Sequence, residues 1–161
     1  MAKDRFPVTP AVRLLREKKA DYMPLLYEYE DKGGTAVGAR ELGVDEHAVI
    51  KTLIMEDDGG NPFIVLMHCD RQVSTKNLAR HLSVKSISPC SPETAQRLTG
   101  YLVGGTSPFG TRRALPVYME ETILHLPVIY LNGGKRGFLV AISPREVERI
   151  LKPVLVRAAM E

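Results

Sequence analysis

The sequence predicts an α+β fold in which a mixed, curved β-sheet carries helices. Helix capping signals alternate with apolar, β-rich runs along the 161 residues. The order is helix, strand, helix, hairpin, helix, short strand, helix, several strands and a closing helix. Hairpins predominate over regular strand–helix–strand units, which favours a mixed sheet. A doubly wound parallel sheet, of the α/β type, is the weaker alternative.

Composition indicates one globular domain over residues 1–161. The chain is 44% hydrophobic and 25% charged, which is ordinary for a globular protein. No apolar run approaches the ~20 residues that span a bilayer, and residues 1–7 lack the apolar segment of a signal peptide. Lys and Arg total 22 against 19 Asp and Glu, a balance that permits a nucleic-acid partner without requiring one. We expect a cytoplasmic protein without membrane contact.

Five helices are predicted from their capping residues. Pro10 follows Thr9, and proline suits the first helical turn. Residues 143–146, Ser-Pro-Arg-Glu, match the capping box. Glycine, which adopts the left-handed conformation at helix ends, follows the second and fourth helices. The first predicted helix begins after Thr9, and the second spans Thr35–Leu42. The other three run from the cap Ser74 to Leu82, from Ser91 to Thr99 and from Ser143 to Lys152.

Seven strands are predicted from apolar, β-rich runs. Pro24 cannot donate a backbone hydrogen bond, which places the first strand at a sheet edge. Two consecutive runs flank the turn-forming segment 57–61, Asp-Asp-Gly-Gly-Asn, and together they indicate a hairpin. The predicted strands are Tyr22–Tyr29, Val49–Met55, Phe63–His68, Tyr101–Val103, Leu115–Met119, Pro127–Leu131 and Gly137–Ile142.

Lys51 is the first candidate functional residue. Alternate side chains of a strand share a face, so Lys51 projects beside Val49, Leu53 and Met55. A lysine on an apolar face costs free energy unless its ammonium reaches water or an anion. An edge lysine that extends to solvent explains the pattern as well. The functional interpretation is a pocket cation for a phosphate or a carboxylate.

The second candidate is the glycine-rich segment 100–110, Gly-Tyr-Leu-Val-Gly-Gly-Thr-Ser-Pro-Phe-Gly. Its paired glycines, Gly104 and Gly105, let the backbone approach a ligand, and consecutive N–H groups can hold an anion or a developing oxyanion. The segment lacks the spacing of a Walker loop. A tight turn before Pro108 is the structural alternative.

The third candidate is the segment 132–137, Asn-Gly-Gly-Lys-Arg-Gly, between two predicted strands. Asn and Gly are the residues that a hairpin turn requires, so the segment needs no function. As a site, it would offer backbone donors to a ligand. Each candidate alone is explained by structure, but three glycine- or lysine-marked features in one small domain favour a shared pocket.

The residue pattern does not support other chemistries. Cys69 and Cys90 stand 21 positions apart without a CxxC motif, and the four histidines are scattered, so neither a disulfide framework nor a zinc site is expected. Ser107 has no evident base to activate it. Tyr27 and Tyr29 share a strand face, where they either cover core or stack on a base. We therefore expect no metal and no organic cofactor.

Three ordered blocks make the sequence similar to the YbaK/EbsC family of aminoacyl-tRNA deacylases, relatives of the editing insertion of bacterial prolyl-tRNA synthetases. The first block is 51–54, Lys-Thr-Leu-Ile, and the second is the glycine-rich segment preceded by Thr99. The third is Ile129-Tyr130 with Gly-Gly-Lys-Arg-Gly at 133–137. The resemblance covers nearly the whole chain. It implies one YbaK-like domain, with a barrel-like mixed β-sheet surrounded by helices.

The resemblance also implies roles for the candidate residues. The essential lysine of the family falls on Lys51, which would bind the phosphate end of the charged acceptor strand. The glycine loop carries over as Gly104 and Gly105, in a catalytic role, with Thr106, Ser107 and Pro108 lining the aminoacyl group.

Further binding residues follow from the same resemblance. The pocket tyrosine of the family falls on Tyr27. Asn132 stands where close relatives often have serine, directly before Gly133 and Gly134, and all three would contact the substrate. Leu139 replaces a polar residue of some relatives, and these two departures concern the choice of amino acid.

The implied activity is the trans-editing hydrolysis of mischarged tRNA, with Cys-tRNA(Pro) as the leading substrate. The thiol of the substrate would attack its own ester and release a cyclic thiolactone, while N–H groups of the glycine loop hold the oxyanion. Ala-tRNA(Pro), attacked by an oriented water, is the next substrate. The implied partners are the acceptor end of tRNA(Pro) and a prolyl-tRNA synthetase that delivers it.

Two hypotheses from other classes stay open. One is a non-catalytic protein that binds tRNA ends or nucleotides in the same pocket. The other is a lysine enzyme that acts through a Schiff base at Lys51, although no acid–base partner is evident from the sequence.

Overall fold

Five α-helices and ten strands alternate along the described chain. The computed structural model describes residues 6–30 and 34–160, with the backbone alone for residues 34–36. The helices are α1 (Pro10–Glu17), α2 (Gly34–Leu42), α3 (Thr75–Leu82), α4 (Pro92–Thr99) and α5 (Pro144–Leu151). The strands are β1 (Tyr22–Leu26), β2 (Ile50–Asp57), β3 (Pro62–His68), β4 (Gln72–Val73), β5 (Ile87–Pro89), β6 (Val117–Glu120), β7 (Ile129–Lys135), β8 (Phe138–Ile142), β9 (Val154–Val156) and β10 (Ala159–Met160).

All five predicted helices are confirmed, and their caps explain where they begin. The Thr9 hydroxyl accepts a backbone N–H of α1 at 3.1 Å, and the serines before α3, α4 and α5 act in the same way. The capping box of α5 forms only in part. The Glu146 carboxylate accepts the backbone N–H of Asp21 at 3.1 Å and pairs with Arg149, instead of reaching back to Ser143.

The strand predictions hold for the long apolar runs and are wrong at the loop before residue 104. The predicted strand Tyr101–Val103 is a loop, because the Tyr101 hydroxyl donates to the carbonyl of Phe109 at 2.6 Å and folds the segment back on itself. The first strand also ends earlier than predicted, at Leu26. The short strands β4, β5, β9 and β10 have no counterpart in the prediction, since two or three residues carry no periodic signal.

The turn predicted over 132–137 lies further along the chain. β7 continues to Lys135, and the turn to β8 consists of Arg136 and Gly137. The pairing of β7 with β8 is irregular between Asn132 and Lys135. The side-chain oxygen of Asn132 accepts the N–H groups of Gly134 and Lys135 at 2.7 and 3.2 Å, which satisfies backbone donors at the irregularity.

The described strands form three sheets, and the predicted mixed pairing is confirmed. The five-stranded sheet has the order β5-β2-β3-β6-β9. In it β2 pairs antiparallel with β3 and β5, whereas β6 lies parallel to β3 and β9. The three-stranded sheet has the order β1-β8-β7 and is antiparallel, with Pro24 on its edge strand as predicted. The strands β4 and β10 form a separate pair.

The two larger sheets meet at one backbone bridge, between Val49 and Tyr130. The described strands do not close into a barrel. Along one edge of β2, β5 pairs only with residues 55–57, and β7 contacts the chain only at the opposite end, through Val49. The backbone of residues 51–53 therefore has no strand partner on this side among the described residues. This gap positions the cleft described below.

Apolar side chains fill a core on each face of the five-stranded sheet. The larger core takes Ile50 and Ile54 of β2 and continues into the three-stranded sheet through Leu131 and Val140. The smaller core takes Met55 and packs against α3 and β9. None of the described helices has the length and hydropathy that a bilayer crossing requires.

Candidate active site

A cleft of about 340 Å³ opens at the unpaired edge of β2. It is bounded by the end of β5 and the start of α4 on one side, and by β7 and the segment 103–106 on the other. The topology creates it, since β5 and β7 occupy the two ends of one strand edge and diverge between them. Four residues predicted from the sequence line this cleft together: Lys51, Gly104, Thr106 and Asn132.

Lys51 is the one cation among the described residues that line the cleft. Its side chain is half-buried and shares a strand face with Leu53 and Met55, which line the same cavity. Within the described part of the chain, no carboxylate forms an ion pair with its ammonium. A lysine that lines the cleft and has no carboxylate partner is available to an anionic or carbonyl oxygen of a bound molecule.

Segment 102–105 forms a tight turn in the cleft wall. The N–H of Gly105 donates to the carbonyl of Leu102 at 2.8 Å, and Gly104 occupies the third position of the turn with φ +88°. A type II turn requires this positive φ at its third position, where glycine is favoured. A Cβ on Gly104 would also lie 2.6 Å from the Tyr29 hydroxyl. Both constraints restrict position 104 to glycine.

The hydrogen bonds of the turn decide which N–H groups a ligand can use. The N–H of Gly105 is already bonded to Leu102. The N–H groups of Gly104 and Thr106 have no acceptor among residues 6–30 and 34–160. Of the two glycines, only Gly104 therefore keeps its N–H free for an oxyanion, and the N–H groups of Val103 and Thr106 on either side are free as well among the described residues.

Asn132 braces the turn against β7. Its side-chain N–H donates to the carbonyl of Gly104 at 3.0 Å, while its oxygen accepts the two N–H groups of β7 described above. The side chain is only 7% exposed. Asn132 thus orients the turn, and its second amide hydrogen has no acceptor among the described residues.

The remaining residues of the second and third candidates support the wall from behind. Ser107 is fully buried, and its hydroxyl accepts the N–H of Phe109 at 3.1 Å. Pro108 is also buried. Gly133 and Gly134 do not line the cleft, and a Cβ at Gly133 would overlap an aromatic ring of β8. These four residues shape the loop and the β7 bulge.

Tyr27 lies outside the cleft, and Tyr29 is the tyrosine that contacts its wall. Tyr27 packs against α2, beside the turn between β7 and β8, where burial raises its pKa. The Tyr29 hydroxyl lies next to Gly104, and the Arg136 guanidinium sits 5.2 Å from the centroid of the Tyr29 ring. Because β1 ends at Leu26, strand alternation does not order these two tyrosines.

Two polar groups of the cleft were not predicted as site residues. Cys90 lines the cleft, and burial together with the neighbouring Glu56 carboxylate raises the pKa of its thiol. The hydroxyl oxygen of Thr52 is buried and has no hydrogen-bond partner among the described residues. Thr52 belongs to the Lys51 block and could have been found from it, whereas Cys90 follows a three-residue strand that no pattern predicts.

Replacing Thr52 with valine is expected to stabilise the fold. Valine keeps the shape of the side chain and removes a buried hydroxyl without a partner, and such an unsatisfied group costs about 1–3 kcal/mol. We expect the free energy of unfolding, measured by urea denaturation, to rise by about 1 kcal/mol. Thr52→Ser is the matched control, since it keeps the hydroxyl and loses the methyl group, and it should be less stable than the parent. A valine variant less stable than the parent would show that the hydroxyl has a partner.

A second group of polar side chains, His47, His68 and Asp70, lies beside another cavity. The two imidazoles stack with centroids 3.8 Å apart and planes 6° from parallel. Both nitrogens of His68 are bonded, to the carbonyl of His47 at 2.8 Å and to the Thr122 hydroxyl at 2.7 Å. The lone pair of an imidazole nitrogen lies in the plane of its ring, and the two nearly parallel planes of this stack do not meet at one ion, as tetrahedral zinc coordination requires. The arrangement joins β3 to its neighbours and does not form a suitable metal centre.

Comparisons with known proteins place this geometry in a family. The sequence model of the aminoacyl-tRNA editing domain matches residues 30–150. The EbsC protein of Enterococcus faecalis, provisionally assigned as a Cys-tRNA(Pro)/Cys-tRNA(Cys) deacylase, is 25% identical over 140 residues, or 86% of this chain and 85% of its own. The multifunctional Ser/Thr-tRNA deacylase ProXp-y of Escherichia coli K12 is 23% identical over 158 residues, 97% of this chain and 95% of its own. A solved structure, provisionally described as a trans-editing enzyme for prolyl-tRNA synthetase, matches with a TM-score of 0.80 at 20% identity, covering 96% of this chain and 100% of that one.

The fold is that of an editing domain. The chain belongs to the aminoacyl-tRNA editing domain family, as the three sequence blocks imply. It is an enzyme of the aminoacyl-tRNA deacylase class, with mischarged tRNA as its class of substrate.

Proposed function

We propose that this deacylase acts in trans on mischarged tRNA(Pro) and prefers Cys-tRNA(Pro). The observation that carries the proposal is the convergence of Lys51 and the Gly104 turn on one small cleft. The remaining lining of β2 is mostly apolar, with Ile50, Leu53 and Met55, and it suits a small amino-acid side chain. The provisional assignment of the EbsC protein adds support for cysteine.

The proposed reaction uses the thiol of the substrate as the nucleophile. The thiol loses its proton, the sulfur bonds to the ester carbonyl carbon, the bond from that carbon to the ribose oxygen breaks, and the ribose oxygen takes up a proton. A cyclic thiolactone and free tRNA are the products. Holding the thiol and the carbonyl in attack geometry is worth roughly 7–11 kcal/mol in well-oriented intramolecular reactions.

The lining of the cleft supports a mechanism that needs no general base from the protein. Among the described residues, no histidine or carboxylate lines the cleft. In this mechanism Lys51 binds a phosphate of the acceptor end and holds the ester in place. The N–H groups of Gly104 and Thr106 stabilise the oxyanion, and removing one such donor costs about 3–4 kcal/mol in a well-studied oxyanion hole.

Alanine is the second substrate to consider. Ala-tRNA(Pro) has no nucleophile of its own, so the same cleft would have to orient a water molecule for attack. We also propose that Asn132 contacts the substrate through its second amide hydrogen. The part of tRNA(Pro) that enters the cleft is its acceptor end. A net charge of +3 is modest for tRNA binding, which favours delivery of the tRNA by prolyl-tRNA synthetase.

The substrate assignment is tested by deacylation of labelled tRNA(Pro). The purified protein is incubated with Cys-, Ala-, Ser- and Pro-tRNA(Pro), and the loss of label is followed against tRNA alone. We expect Cys-tRNA(Pro) to be cleared fastest and Pro-tRNA(Pro) to be spared. Faster clearance of Ala- or Ser-tRNA(Pro) would overturn the cysteine preference, and binding without loss of any label would indicate a non-catalytic protein.

The thiol mechanism predicts a distinctive dependence on pH. The attacking species is the thiolate, and an ordinary thiol has a pKa near about 8.5. The ratio of the Cys-tRNA(Pro) rate to the Ala-tRNA(Pro) rate should therefore rise with pH and level off above the pKa of the substrate thiol. The rate of each ester without the protein is subtracted before the ratio is taken, which removes the alkaline hydrolysis. A ratio that stays constant between pH 6 and 9 would exclude attack by the substrate thiol.

A further inference from the structure

The Gly104 turn contains a peptide unit that has two possible orientations. Type I and type II turns differ mainly in the orientation of the middle peptide unit, which here joins Val103 to Gly104. The carbonyl and the N–H of a trans peptide point in opposite directions. Rotating this unit would therefore reverse the direction of the Gly104 N–H, which has no acceptor among the described residues.

Arg136, in the turn between β7 and β8, holds this peptide unit in one orientation. Its Nε donates to the carbonyl of Val103 at 2.8 Å, so the Gly104 N–H points away from Arg136. The guanidinium is itself placed over the Tyr29 ring, 5.2 Å from its centroid. The Tyr29 hydroxyl in turn lies beside Gly104. The arginine and the tyrosine thus both contact the turn, and the arginine holds the carbonyl that points away from the donor.

The hydrogen bond from Asn132 to the turn cannot replace the contact from Arg136. Asn132 holds the carbonyl of Gly104, and that peptide unit carries the N–H of Gly105, which is already bonded to Leu102. The Val103–Gly104 unit has no other side-chain contact to its carbonyl among the described residues. Its orientation therefore depends on Arg136.

We propose that Arg136 is a positioning residue for deacylation, which holds the Val103–Gly104 peptide so that the Gly104 N–H faces the ester carbonyl. The inference rests on the proposed function, because it assigns this N–H to the oxyanion. Arginine suits the role better than lysine, since its planar guanidinium can donate to a carbonyl while stacking on an aromatic ring. Arg136 itself does not touch the reacting atoms.

The test compares Arg136→Met and Arg136→Lys with Lys135→Met in deacylation of Cys-tRNA(Pro) by the full chain. The methionine variant keeps the apolar contact to Tyr29 and loses the donor, whereas the lysine variant keeps the charge. Lys135→Met removes one charge from an adjacent exposed position. We expect kcat to fall at least about tenfold in both Arg136 variants, with KM and the melting temperature unchanged and with Lys135→Met equal to the parent. A loss of one oxyanion donor costs up to about 10²–10³ in kcat, which is the upper limit expected here.

Each alternative role of Arg136 gives a different result. If Arg136 instead binds a tRNA phosphate, the methionine variant has a higher KM than the parent, its kcat is kept, and the difference in KM depends on salt. The lysine variant then has parental activity. These results would overturn the positioning role. Parental kcat in both variants overturns it as well. If the methionine variant fails to fold, the lysine variant decides, since it retains charge and length. A parent protein inactive on every aminoacyl-tRNA would instead contradict the proposed function.

Discussion

Replacing Lys51 with alanine is expected to lower the rate of deacylation strongly and to leave the fold intact. The ammonium contacts no carboxylate in the described residues, so its removal strands no buried charge. Truncating one partner of a desolvated charged contact costs about 2–5 kcal/mol, which corresponds to a loss of roughly 30- to 5000-fold in kcat/KM. Single-turnover rates on Cys-tRNA(Pro) measure the loss directly.

The control for Lys51→Ala is Lys76→Ala. Lys76 is exposed on α3 and does not line the cleft, so its removal changes the net charge equally. We expect the Lys76 variant to keep parental rates and both variants to melt near the parental temperature. If Lys51→Ala cleared Cys-tRNA(Pro) as fast as Lys76→Ala, the role assigned to Lys51 would be wrong.

Replacing Gly104 with alanine is expected to lower kcat by about 100-fold, the cost of losing one oxyanion donor. The φ of +88° disfavours any side chain at this position. The added Cβ would also lie 2.6 Å from the Tyr29 hydroxyl. The turn must then rearrange, and the Gly104 N–H leaves its position in the cleft wall. Steady-state kinetics separate this effect on kcat from any effect on KM.

Gly43→Ala separates the loss of geometry from ordinary backbone strain. Gly43 ends α2 with φ +68°, and no atom lies within 4 Å of the position that a Cβ would take. Its alanine variant should lose about 1 kcal/mol of stability from the left-handed conformation alone and keep full activity. Equal loss of activity in the two variants would mean that Gly104 acts through stability and not through the cleft.

The sequence was most informative where local rules decide the structure. Strand alternation predicted Lys51 beside Leu53 and Met55; all three line the cavity, as do the intervening Thr52 and Ile54, because the cavity opens at the strand edge and not on one face. Capping residues located the five helices, because a helix start depends on a few adjacent groups. The paired glycines marked the turn at Gly104, since a positive φ favours glycine.

The features of the site that could not be predicted from the sequence depend on contacts between distant parts of the chain. Tyr29 rather than Tyr27 reaches the turn, because β1 ends at Leu26 and the following segment is irregular. The bond that removes the Gly105 N–H from the free donors forms because the turn begins at Leu102, and a pair of glycines does not specify where the turn begins. The contact from Arg136 to Val103 joins positions 33 residues apart, and no local pattern indicates it.

The most direct test of one shared site is a titration with an analogue in which cysteine is joined to the 3′-amine of adenosine by a stable amide. Nuclear magnetic resonance follows the side-chain nitrogen of Lys51 and the backbone amides of Gly104 and Thr106. If the cleft holds the aminoacyl end as proposed, all three signals shift with one dissociation constant, while the amide of Gly43 stays in place. Saturable binding that leaves Lys51 and Gly104 unmoved would contradict the account.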